Sequence, residues 1–157
     1  MRLTDLLTPQ RVAIEHNTAT SPLDKAAAIT AISKVLTRGT SVEQSQVERV
    51  LTEREQLQST GIGEGVAIPH GALPHLSTQY ATLLIVPEGV EFAAIDGVAA
   101  NILFAVIGPK RATGEHLKTL ARVSRLLRNK AFRDRLVAAS SPEVAYGLIA
   151  EEEGEAK

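Results

Sequence analysis

Ser59-Thr60-Gly61-Ile62-Gly63-Glu64-Gly65-Val66-Ala67-Ile68-Pro69-His70-Gly71 is the stretch on which the reading of this chain turns. Four glycines in thirteen residues exclude a helix, since each costs roughly 1 kcal/mol against alanine in a helix interior. Val66–Ile68 reads as a short strand entering a turn at Pro69. His70 then stands at the end of an apolar strand. On one side is Pro69, which fixes φ and removes an amide hydrogen; on the other is Gly71, which can turn with φ > 0. Such neighbours hold an imidazole proud of a sheet at a set angle, and the upstream glycines leave room for a bulky partner. A turn histidine without a task fits the same context.

Working outward, Arg11–His16 reads as an edge strand, and Ser21-Pro22-Leu23-Asp24 as a helix start with Ser21 as its cap. That helix runs to Leu36 and closes at Gly39. Ser41–Gln44 has the form of a capping box for a second helix, which carries Val47, Val50 and Leu51 on one face and reaches about Leu57. Beyond the glycine stretch, Ala81–Val86, Val90–Phe92 and Val98–Ile107 read as strands. A helix over Gly114–Arg128 is expected to bury Leu117, Leu120, Val123 and Leu127 and to expose Lys118, Arg122 and Arg125. Ala131–Ala139 and Pro142–Ala150 predict two further helices, and residues 151–157 a frayed acidic tail. Helices, then strands, then helices predict an α/β fold. It would be a single domain over residues 1–157, with a central mixed β-sheet of about four or five strands flanked by helices.

Length and composition narrow the function. A chain of 157 residues has the size of one domain, and 44% hydrophobic with 22% charged residues argues against wholesale disorder. Seventeen basic against eighteen acidic side chains leave a formal charge of −1, so no bulk field draws the chain to nucleic acid or an anionic membrane. Nine Lys and Arg stand against Glu115 and Asp134 between Lys110 and Arg135, which reads as a solvated helix face. The absence of cysteine removes disulfides, thiolate nucleophiles and cysteine-held zinc. With 3% aromatics and no tryptophan, stacking on bases or sugars is not the binding device. No apolar run approaches the ~20 residues of a spanning helix, and no signal peptide is visible, so a cytoplasmic protein without membrane insertion is expected.

Several chemistries lack their motifs. No GxSxG elbow, HExxH pair or Walker A loop occurs, and Gly61-Ile62-Gly63-Glu64-Gly65 is not the dinucleotide GxGxxG. Of the four histidines, His16 and His75 read as surface residues. His116 lies in the first turn of a predicted helix, where the macrodipole favours anions and keeps an imidazole neutral. Arg54 ends the second helix, sixteen residues before His70; satisfying the helix C-terminus or pairing with Glu55 would also account for it. A metal-dependent hydrolase built from His70, His75 and His116 is disfavoured, because their spacing fits neither helical ligand motif and no carboxylate is clearly placed. Neither metal nor cofactor is expected.

Arg54-Glu55, Ser59-Thr60-Gly61-Ile62-Gly63, Ala67-Ile68-Pro69-His70-Gly71, Ala94-Ile95-Asp96 and His116-Leu117 at the head of a helix together resemble the enzyme IIA domains of the fructose/mannitol class (type 2) of the bacterial phosphotransferase system. The likeness runs over roughly residues 1–150 and is strongest to the stand-alone nitrogen-regulatory branch. It implies that His70 carries a phosphoryl group on Nε2, that His116 helps hold that group without being modified, and that Arg54 contacts its oxygens. Asp96 would have a structural or orienting role. Ala72 departs from the pattern, since the nitrogen-regulatory branch often has Lys after His-Gly, which bears on subgroup and partner choice. The implied donor is a histidine-phosphorylated HPr-like carrier. The implied receiver is a regulatory or transport protein, with signalling by phosphorylation state expected. Two alternatives stand beside this: a sugar-specific enzyme IIA serving a separate permease component, and a non-catalytic regulatory binding protein that has kept the fold.

Overall fold

The computed structural model describes residues 2–155. In chain order, α1 (Leu3–Leu6) is followed by a single 3-10 turn at Pro9–Arg11, β1 (Val12–Ile14), α2 (Lys25–Leu36) and α3 (Gln44–Leu57). The short strands β2 (Gly61–Gly63), β3 (Val66–Ala67) and β4 (His70–Leu73) come next, then the long β5 (Tyr80–Val90) and β6 (Ala100–Pro109). The chain closes with α4 (Thr113–Leu126), α5 (Lys130–Val137) and α6 (Pro142–Glu155).

The sheet is mixed, as expected, with six strands among the described residues. Its order is β1-β5-β6-β3-β2, and β4 also pairs with β6. β5 and β6 form its antiparallel centre, and β1 lies parallel to β5 at one edge. β3 pairs parallel with β6 at Ile102–Leu103, and β4 pairs parallel with the same strand from Val106 to Pro109. β3 and β4 thus follow one edge of β6 in succession, interrupted at Ile68-Pro69. Pro69 has no amide to give, but its carbonyl accepts from Val106 N at 3.0 Å and keeps the chain on the edge.

Both faces are covered, and strict alternation along β6 sorts its side chains between two cores. Ile102, Phe104 and Val106 join the core under α1, α4, α5 and α6, while Leu103, Ala105 and Ile107 join the core under α2 and α3. Arg11, buried, ties the first segments together by donating to the carbonyls of Leu6, Arg38 and Ala81.

Several local expectations need correction. Helix α2 is capped by Asp24, whose Oδ1 accepts from Ala27 N at 2.8 Å, not by Ser21. Helix α3 has Glu43 as its N-cap residue and starts at Gln44, so the expected box at Ser41 lies outside it. Val90–Phe92 is not a strand of its own: Val90 ends β5 and Phe92 lies beyond it. The strands not expected are the short pieces β2 and β4, where the sequence reads as loop and turn; β2 pairs with β3 and β4 with β6, partners that no local signal reveals. Leu117 is 61% exposed, whereas His116 is half-buried, so the covered stripe of α4 starts from His116 and passes through Thr119 and Val123. The acidic tail does not fray from Glu151: α6 continues to Glu155, and Glu153 accepts from Leu3 N at 2.6 Å and Thr4 N at 3.1 Å. The carboxylate thereby satisfies amides of the first turn of α1 that have no partner within their own helix. The remainder of the expected tail, residues 156–157, lies outside the described residues.

Candidate functional site

His70 opens β4 and is half-buried at the edge of the sheet. Its ring Nδ1 lies 2.7 Å from the carbonyl oxygen of Ile68. A carbonyl can only accept, so Nδ1 carries the proton in the neutral ring and the lone pair is on Nε2. The kink at Pro69 makes this bond possible by turning the Ile68 carbonyl back to the side chain two residues on.

Gly71 has a different role from the one its sequence position suggests. It is ordinary strand, not left-handed. A Cβ on Gly71 would lie 2.2 Å from Val50 Cγ1, so glycine is what lets α3 close onto β4. Arg54 lies one turn beyond Val50 on the same helix face and is carried to His70 by that contact. Its charge bears on the His70 ring. Its Nη1 also donates to the Gln58 carbonyl at 2.8 Å, which satisfies the end of α3. The alternative pairing with Glu55 does not occur. Glu55 is buried, binds Lys25 Nζ at 2.9 Å, and accepts from Thr60 N at 2.8 Å and Thr60 Oγ1 at 2.6 Å.

His116 enters from α4, its ring centroid 5.8 Å from that of His70 and its plane tilted by 53°. His70 and His116 are therefore brought to one place, and Arg54 stands near enough for its charge to bear on the His70 ring. Burial pushes His70 below the ordinary imidazole value; the hydrogen bond to the Ile68 carbonyl acts upward, Arg54 downward and Glu55 upward. Burial likewise lowers His116, with His70 adding to it. Both rings are neutral at neutral pH, one presenting a nucleophilic lone pair and a cation standing by.

Around this centre the loops are tied down. Asp96 accepts from Glu64 N at 2.7 Å and Val98 N at 3.0 Å, and so holds Glu64, which has φ 57°, in the turn of the β2–β3 hairpin. That is an orienting task. Ser59 Oγ donates to the Phe92 carbonyl, and Lys25 sits 4.8 Å over the Phe92 ring. The roles of Lys25, Thr60 and Phe92 could not be read from the sequence, because they arise from contacts across α2, α3 and the loop after β5. His16 is exposed and pairs with Glu88 at 2.9 Å, and His75 is exposed in a turn after β4. Among the described residues no three His, Asp or Glu side chains form a metal-like cluster, and His75 does not join the pair.

A central mixed sheet between two helical layers, with a proton-fixed histidine beside a second histidine and in the field of an arginine, is an arrangement that can receive a small anionic group. The comparison with known proteins narrows that reading. The sequence model of the family described as "Phosphoenolpyruvate-dependent sugar phosphotransferase system, EIIA 2" matches residues 6–152. The chain belongs to this family. It is 33% identical over 152 residues to the nitrogen regulatory protein of Bradyrhizobium diazoefficiens, covering 96% of this chain and 95% of that one. With the nitrogen regulatory protein of Escherichia coli K12 it shares 36% identity over 131 residues, covering 83% and 80%. The crystal structure of nitrogen regulatory protein IIA-Ntr from Neisseria meningitidis superposes with a TM-score of 0.84 at 28% identity, covering 94% of this chain and 98% of that one.

Proposed function

We propose that this protein is a phosphocarrier that accepts a phosphoryl group on Nε2 of His70 and acts as a regulator through its phosphorylation state. The observation that carries the reading is the His70 Nδ1 to Ile68 carbonyl contact of 2.7 Å, made within reach of His116 and Arg54. It fixes the tautomer, aims one lone pair outward, and leaves donors beside the position an incoming phosphoryl group would take.

The donor is a histidine-phosphorylated carrier of the HPr kind. In the transfer, the P–N bond to the donor's ring breaks as the bond from phosphorus to His70 Nε2 forms. The donor nitrogen recovers its electron pair, and the proton on His70 Nδ1 stays where it is. One phosphoramidate bond replaces another, so the demand on the protein is alignment and charge stabilisation rather than acid–base chemistry. Arg54 and an N–H of His116 meet the phosphoryl oxygens. Leu57, beyond Arg54 on α3, and Leu117, beside His116 on α4, are exposed at 82% and 61%. They provide apolar contact for a small transient interface around the ring.

The regulatory role is supported by full-length similarity to nitrogen regulatory proteins. A cytoplasmic location belongs to the same reading, and no helix among the described residues is long and apolar enough to cross a membrane. The test is incubation with a phosphorylated HPr-like carrier, followed by intact-mass measurement. Wild type is expected to gain one acid-labile phosphoryl group and His70→Ala none. Equal labelling of the two would overturn the reading.

A further inference from the structure

Two buried polar atoms beside this site have no hydrogen-bond partner: Nδ1 of His116 and Oε1 of Gln79. Both residues pack over the same residue of β6. A Cβ on Gly108 would lie 3.1 Å from Gln79 Cγ and 3.2 Å from His116 Nδ1, so both side chains occupy the space that the bare glycine leaves. Gln79 is 4% exposed, at the residue before β5. A buried ring nitrogen left unpaired loses on the order of 1–3 kcal/mol, and the Gln79 carboxamide, packed over the same glycine, is a group that can pair it.

We infer that Gln79 is a positioning residue for phosphoryl transfer: its carboxamide engages Nδ1 of His116 and thereby reserves the Nε2–H of that ring for the phosphoryl oxygens. This rests on the phosphocarrier reading above. A glutamine suits the task because it can both give and accept. While His116 is neutral, the amide N–H₂ donates to Nδ1 and drives the single ring proton onto Nε2. Once the phosphoryl dianion has arrived and the ring takes a proton from solvent water at Nδ1, a half-turn of the carboxamide presents Oε1 to Nδ1–H. In both states Nε2–H stays a donor.

Two variants separate the assignment from a packing role. Gln79→Leu keeps the bulk and removes the partner. Its phosphorylation by an HPr-like carrier is expected to slow about five- to tenfold, the worth of one hydrogen bond. The ring ¹⁵N spectrum of its His116, recorded on the unphosphorylated protein, is expected to shift from an Nε2–H form to a tautomer mixture. Gln79→Glu can only accept: it holds Nδ1–H, and Nε2 is a donor only in the protonated ring. Its rate is therefore expected to fall as pH rises, turning the wild-type plateau into a bell. A wild-type rate in Gln79→Leu, an unchanged ring spectrum, or a plateau in Gln79→Glu overturns the assignment of Gln79 while leaving phosphorylation of His70 standing. If wild type itself takes up no phosphoryl group, the phosphocarrier reading falls, and this inference with it.

Discussion

Val50 of α3 occupies the place a side chain on Gly71 would need: a Cβ there would come within 2.2 Å of Val50 Cγ1. The glycine after His70 thus sets a helix-to-strand distance rather than a turn, and that distance brings Arg54 to the ring.

Gly71→Ala is therefore expected to push α3 off β4. Overpacking of this kind costs about 1–3 kcal/mol. Denaturant unfolding should show that loss, and the phosphoryl acceptance rate should fall further than stability alone explains, because Arg54 moves with the helix. The double variant Gly71→Ala/Val50→Ala removes the clash and is expected to recover much of both.

Arg54→Gln keeps a donor to the Gln58 carbonyl and removes the charge. A charged donor lost from a developing anion typically costs about 10²-fold in rate. Single-turnover phosphorylation is expected to slow on that order, with little change in unfolding midpoint. A rate equal to wild type would show that Arg54 only ends its helix.

Glu55→Ala leaves Lys25 and the Thr60 amide without their shared carboxylate. Breaking such a buried pair costs about 3–5 kcal/mol. Because Lys25 retains partial exposure, the lower end is expected. Thermal or denaturant unfolding measures it.

Stability should also depend on pH through the two histidines. Both folded-state values lie below the unfolded value, chiefly through burial. The unfolded chain then binds more protons, so stability is full above about pH 6.5 and declines as pH falls below it toward the folded-state values. Unfolding curves across that window are expected to flatten in His70→Ala/His116→Ala. The same depression keeps His70 neutral, so acceptance should persist at acidity where a free imidazole is largely protonated.

Glu153→Ala tests the end of α6. The amides of Leu3 and Thr4 lose their acceptor, as at a deleted helix cap, for about 1 kcal/mol in unfolding experiments.

His70, His116 and Arg54 were open to selection beforehand, each with a plainer reading beside it, from local chemistry (proline and glycine around His70, a helix head at His116, a helix end at Arg54) and from the resemblance that joined them. Leu117 and His116 exchanged roles because the stripe a helix buries depends on which way its axis lies on the sheet, and periodicity alone leaves adjacent positions ambiguous. The strand that begins at His70 was hidden because four residues without a β signal become a strand only when β6 offers its edge. Gln79 had no signal at all: an uncharged residue before a strand is unremarked until its carboxamide oxygen is found buried and unpaired over Gly108, where the His116 ring also packs.

By itself, then, the order of residues determined what depends on neighbours along the chain: an α/β domain, helix and strand types, and an imidazole set between a rigid and a permissive residue. The tertiary structure decided what depends on partners far apart in sequence. It chose the tautomer of His70, brought Arg54 and His116 to that ring, gave Glu55 to Lys25 rather than to Arg54, and set Gln79 beside His116. The division is physical: backbone preferences act over a few residues, whereas hydrogen bonds, burial and charge act through space and exist only once the sheet and its helices have closed.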